Sequence, residues 1–156
     1  MEHIVLDSID RRILAVLRED GRITNQDLSQ RVGLSPTPCL RRLKRLEETG
    51  VIQGYTAVVD PKAYGLPFSV FVSVRLTQQN QEQIAEFEKA VETWSEVAEC
   101  YLMTGSQDYL LRVVTDGIEG YERFLKQKAT RLKCIQSVES NFALATIKKR
   151  SGLPAV

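Results

Sequence analysis

Two prolines within three residues, in the stretch "LSPTPCLRRLKRLEETG" from Leu34 to Gly50, leave that stretch one place to begin a helix. A proline ring sets φ and removes the backbone donor, so it is tolerated only in the first turn, where amides have no carbonyl four residues back. With Ser35 at the N-cap, Pro36 falls at N1 and Pro38 at N3, and a helix is predicted from Pro36 onward. The Ser35 hydroxyl then has only the Thr37 amide to cap. At about 100° per residue, Cys39, Leu40, Leu43 and Leu46 share one face. Thr37, Arg41, Lys44 and Arg45 project from the other, with Arg42 on the flank.

Two shorter helices are predicted upstream. Asp7 and Asp10 form a capping-box-like pair ahead of Ile9, Ile13, Leu14 and Leu17, and Gly21 closes the segment. Thr24 opens a second helix with Asp27 at N3, carrying Leu28 and Val32 and stopping at Gly33. A short helix, a tight Gly33-Leu34-Ser35 turn and a longer helix make a helix-turn-helix, whose second helix enters the major groove. The charge distribution agrees. Net charge is only +1, which excludes a globally basic nucleic-acid binder. Between Asp27 and Glu47, however, there is no acid, while Arg31, Arg41, Arg42, Lys44 and Arg45 are present. Such a stripe is either a solvated face or a directed contact, and its position on this helix favours contact. Ser35, Thr37 and Pro38 are then small enough to approach base edges, and Arg41 can address guanine. Arg42, Lys44 and Arg45 are expected to neutralise phosphates. The following "VIQGYTAVVD" reads as two short strands turning near Gly54, a wing, and Pro61 ends the unit. Residues 1–61 are thus expected to form one domain, with a linker strand over about 51–67.

From Phe68 the periodicity changes. "FSVFVSVRLT" alternates, with Phe68, Val70, Val72, Val74 and Leu76 on one face and Ser69, Ser73 and Arg75 on the other, as in a half-buried strand. A helix follows from about Gln81 with Ile84, Phe87 and Val91 on one stripe. "VAECYLMT" and "YLLRVVT" read as two strands joined by the hairpin Gly105-Ser106-Gln107-Asp108. A second helix carries Tyr121, Phe124, Leu125 and Leu132, and a last strand is expected from Ile135 to Lys148. This βαββαβ order predicts a ferredoxin-like α+β domain over residues 68–148, with 149–156 as a tail. The helix-free sheet face is expected to bear Phe71, Cys100 and Leu102 and to seek a partner.

The segment "GRITNQDLSQRVGLSPTPCLRRLKRLEETGVIQGYTAVVDP" resembles the winged helix-turn-helix of the Lrp/AsnC family, and "LSPTPCLRRLKRLE" with "GVIQGYTA" is close to its leucine-responsive branch. The resemblance covers nearly the whole chain, because "LMTGSQDYLLRV" is similar to the effector loop of that family's sensing domain. It implies an amino-acid-responsive transcriptional regulator that binds double-stranded DNA, works in the cytoplasm at the nucleoid, and assembles as a dimer and then a tetramer or octamer. It also implies an effector site between subunits at Gly105, Asp108 and Tyr109. There Asp108 would hold the α-ammonium and backbone amides at Thr104 and Gly105 the carboxylate of a free amino acid. Without the resemblance, the same residues read as a hairpin turn with an exposed Asp. Ser140 is a further candidate contact on the last strand. Asn141 departs from the aromatic or bulky residue expected beside it, which counts against leucine itself as the ligand.

Other classes find less support. The one histidine is His3, and no metal-ligand cluster, nucleophile elbow or phosphate-cradling glycine loop is present, so no catalysis and no cofactor are expected. No apolar run approaches a membrane span, and the acidic start "MEHIVLDSID" is not expected to be a secretory signal. Cys39, Cys100 and Cys134 are odd in number and widely spaced, as expected of reduced thiols. An architectural DNA-binding protein with little ligand response is the alternative reading.

Overall fold

A computed structural model of the chain describes residues 5–148. His3 and the tail expected over 149–156 lie outside the described residues. The chain divides between Val58 and Val59 into two compact units.

The first unit holds three helices, α1 (Ser8–Glu19), α2 (Asn25–Val32) and α3 (Pro36–Glu48). Asp7 caps α1 through the amides of Ile9 and Asp10, while the Asp10 carboxylate accepts the Asp7 amide, completing the capping box. Thr24 caps α2 at the Asp27 amide. Gly33 then ends α2 in the left-handed region at φ 75°, and the Leu34 amide reaches back to the Ser29 carbonyl at 2.9 Å. That Schellman closure makes the turn into α3 short and needs a residue without a Cβ. Ile13, Leu28, Val32, Cys39 and Leu46 form the core between the helices, with Leu43 and Ile52 packed beside it.

Three expectations for this unit change. Ser35 sits at the N-cap of α3 but makes no side-chain capping bond: Pro38 removes the N3 donor, and the remaining Thr37 amide is not capped either. Leu40 is 41% exposed rather than buried with Cys39 and Leu46. The stretch after Gly50 forms no strand among the described residues. Instead the Ile52 amide bonds the Leu46 carbonyl at 2.9 Å and the Tyr55 hydroxyl donates to Glu47 Oε1 at 2.8 Å, folding the chain back along α3. A two-stranded ribbon of this length has too little apolar surface to hold itself together.

The second unit is a four-stranded antiparallel sheet of β1 (Phe68–Leu76), β2 (Val97–Leu102), β3 (Tyr109–Thr115) and β4 (Ile135–Phe142), with α4 (Gln81–Glu92) and α5 (Ile118–Gln127). The strand order is β2-β3-β1-β4, the ferredoxin-like arrangement. Val70, Val72 and Val74 of β1 and Tyr109, Leu111 and Val113 of β3 bury one sheet face against Phe87, Trp94, Tyr121 and Phe124. The last strand ends at Phe142, not Lys148, and Leu144 and Ile147 beyond it are exposed. Leu132 lies past α5, at the end of a 3₁₀ turn over Ala129–Arg131.

Register also corrects the assignment of the open face. Cys100 pairs with Leu111 and Leu102 with Tyr109, so both point to the helix side, on an edge strand that the helices do not fully cover. Phe71 pairs with Arg112 and does face away from the helices. It is joined there by Leu110 and Tyr101, which pair with Ser73 and with each other, respectively. A bulge between Val97 and Glu99 shifted the pattern by one residue.

Candidate functional site

The α3 cations and the β2–β3 hairpin residues stand in different surroundings in the fold. On α3, the first turn presents Ser35 and Thr37 exposed and Pro38 half-buried. Asn25 at the start of α2 donates from Nδ2 to the Pro36 carbonyl at 3.0 Å, which ties the first turns of the two helices together. Arg41 and Lys44 are exposed and carry no ion pair among the described residues. With Thr37 they form a stripe at i, i+4 and i+7 down one side of the helix.

Arg42 and Arg45 do something else. Arg42 Nη1 donates to Asp7 Oδ2 at 2.6 Å and to Asp10 Oδ1 at 2.9 Å, and Arg45 Nη2 donates to Asp10 Oδ2 at 2.6 Å. Asp10 is 1% exposed, so its charge is removed from water and met by two guanidinium groups. The amides at the N-terminus of α1 and the Arg42 guanidinium hold the Asp7 carboxyl down to about 2, and the two carboxylates push Arg42 up. Stripping both arginines from Asp10 would leave a buried, unpaired carboxylate. Breaking such a pair costs about 3–5 kcal/mol, more than the roughly 1.5–3 kcal/mol a charged hydrogen bond returns. In the free chain Arg42 and Arg45, expected at phosphates, clamp α3 to α1. A signal for this stood in the sequence: acids at i and i+3 on α1 match arginines at i and i+3 on α3.

The hairpin between β2 and β3 places Thr104, Gly105 and Ser106 exposed at its tip. Gly105 lies at φ 119°, where side chains are strained, and no atom occupies the space beside it. Asp108, by contrast, is buried at 7% exposure rather than exposed as a plain turn residue would be. Its Oδ2 accepts the Leu76 amide at 2.7 Å, and its Oδ1 accepts the Gln79 side-chain amide. Both oxygens thus hold the end of β1 and the loop into α4. Tyr109 is 2% exposed and donates to Glu88 Oε1 on α4 at 2.9 Å; burial and that carboxylate push its hydroxyl strongly up. Ser140 pairs with Val72 and shares a hydrogen bond with the Tyr121 hydroxyl on α5, while Asn141 pairs with Phe71 on the outer face. β1 lies between β3 and β4, so a single subunit does not bring Ser140 to the hairpin. Expected effector residues therefore split into an open tip, Thr104 and Gly105, and a set of inward structural contacts, Asp108, Tyr109 and Ser140.

Among the described residues, no group of three His, Cys, Asp or Glu side chains is placed to hold a metal ion. No described helix is long and apolar enough to cross a membrane. Cys39 and Cys134 are buried and Cys100 is exposed, all as free thiols.

Known proteins carry the same layout. Residues 6–53 match the family of winged helix-turn-helix DNA-binding domains, and residues 69–153 match the Lrp/AsnC ligand binding domain. The chain is 44% identical over 149 residues to the Bkd operon transcriptional regulator of Pseudomonas aeruginosa, covering 96% of this chain and 97% of that one. It is 40% identical over 148 residues to the leucine-responsive regulatory protein of Escherichia coli K12, covering 95% and 90%. A transcriptional regulator from Neisseria meningitidis, solved as an L-Met complex, superposes with a TM-score of 0.92 at 37% identity, covering 96% and 97%.

Proposed function

The chain belongs to the Lrp/AsnC family of transcriptional regulators, DNA-binding proteins and not enzymes, and we propose that it reads operator DNA through one stripe of α3 and adjusts that binding to an amino acid. The observation that carries this reading is the Thr37–Arg41–Lys44 stripe, exposed at the start of a helix held rigidly by α1 and α2. Ser35, Thr37 and Pro38 lie at base edges, Arg41 makes the bidentate contact to guanine, and Lys44 holds phosphate. Amino-acid sensing rests on the hairpin tip. Thr104 and Gly105 offer backbone amides to a carboxylate, and a second subunit completes the site around the ammonium. Asp108 and Tyr109 support that tip from beneath.

The outer sheet face, with Phe71, Leu110 and Tyr101, is the surface for self-association, giving a dimer that assembles further in a cytoplasmic, nucleoid-associated protein. Two relatives' names point to amino acids, leucine for one and L-Met for another. A thermal-shift screen of the free amino acids against the purified protein, paired with selection of a duplex from a random pool, tests both halves. No ligand shift removes the sensing half. No enriched sequence, with binding to all duplexes alike, favours the architectural alternative.

A further inference from the structure

The cations of α3 are not all offered to DNA, and the withholding is built into the first turn of α1. Asp7 and Asp10 lie three residues apart and meet Arg42 and Arg45, also three apart, through three contacts between 2.6 and 2.9 Å. Two negative and two positive charges cancel within this cluster. Of the four cations on α3, only Arg41 and Lys44 carry no acid partner among the described residues. The acids thereby set how much of the binding is sequence-blind. Phosphate neutralisation supplies nearly all of non-specific affinity, and each neutralised phosphate adds about 0.9 to the salt slope. We propose that Asp7 and Asp10 are specificity-determining residues: they keep Arg42 and Arg45 off the phosphate backbone, which lowers affinity for random DNA while base reading by Arg41 is untouched. This rests on α3 being the reading helix.

Salt titrations of binding to a short random-sequence duplex, and to one selected by the protein from a random pool, test it between about 50 and 200 mM salt. Lys44→Gln is expected to flatten the slope by about 1 per helix-turn-helix. Arg45→Gln is expected to leave the slope unchanged, because that guanidinium meets Asp10 and not phosphate. Asp10→Asn is expected to steepen the slope by about 1–2 and to tighten random-duplex binding roughly tenfold, so the ratio of selected to random affinity falls. Asp7→Asn, which keeps a good N-cap, is expected to show a smaller change of the same sign should Asp10→Asn fail to fold. An Arg45→Gln slope flattened as much as that of Lys44→Gln overturns the inference, as does an unchanged ratio in the folded aspartate variants. Failure of the underlying reading looks different: Arg41→Ala would then leave the selected duplex no weaker than before.

Discussion

At the scale of single residues, the same residue type plays opposite parts depending on what stands behind it. Arg41 and Arg45 are one turn apart on α3, yet one is exposed without a partner and the other is bound to buried Asp10. Arg41→Ala is expected to cost about 1–3 kcal/mol on a selected operator and to relax its preference at one base pair, whereas Lys44→Ala weakens all sequences alike. Anisotropy titrations against operators altered base by base separate the two. Asp108 makes the same point for the hairpin. Its carboxylate satisfies the Leu76 amide and the Gln79 side chain in a buried position. Asp108→Ala should therefore lower stability by about 1–3 kcal/mol with no amino acid present, by stranding those donors. A chemical-denaturation midpoint equal to that of the unaltered protein would return Asp108 to a purely ligand-binding role.

Among elements, the helix-turn-helix depends on its caps and on the α1–α3 clamp. Gly33→Ala puts a Cβ on a left-handed residue and should destabilise the first unit by about 1–2 kcal/mol, even though the space beside Gly33 is open. Ser35→Ala provides the contrast. Since Ser35 makes no side-chain capping bond, thermal stability should stay within about 0.5 kcal/mol while operator affinity falls. The clamp also predicts a pH dependence. The Asp7 carboxyl is lowered from 3.8 to about 2 by the α1 amides and Arg42. A depressed folded-state pKa contributes stability that is fully present above 3.8 and lost as pH falls through 2. The Tm difference between the unaltered protein and Asp7→Ala should thus be constant at neutral pH and shrink across that acid window. A difference that stays level down to the bottom of the window would mean that Asp7 gains nothing from its charge.

At the scale of the whole molecule, the second unit buries the β1 and β3 side chains of one sheet face and leaves the other with Phe71, Leu110 and Tyr101 around the Arg112–Glu99 ion pair. A half-covered sheet with apolar residues at its centre is completed most simply by a second copy of itself. Phe71→Glu in the full chain should shift the protein to monomer at micromolar concentration in light scattering while leaving its circular dichroism intact. A Phe71→Glu protein of unchanged mass would place the contact on another surface, such as the exposed edge at Leu102 and Met103.

Local chemistry was enough to set much of this molecule. Prolines at Pro36 and Pro38, the caps at Asp7 and Thr24 and the stop at Gly33 place three helices, because each acts within one turn of its own position. Alternation from Phe68 to Leu76 likewise decides which side chains of β1 are buried. What needed the tertiary structure are the pairings between distant residues. The matching i, i+3 spacings of Asp7 and Asp10 and of Arg42 and Arg45 are compatible with a pairing, but only the fold brings residues thirty-odd positions apart together, and only the fold shows that a bulge turns Cys100 and Leu102 to the helix side. Nor does the turn signal at Gly105 show that the neighbouring Asp108 carboxylate points inward to Leu76 and Gln79. Charge and exposure at a residue depend on partners that only the folded chain brings within reach, and those partners separate the acid-paired cations of α3 from the unpaired ones.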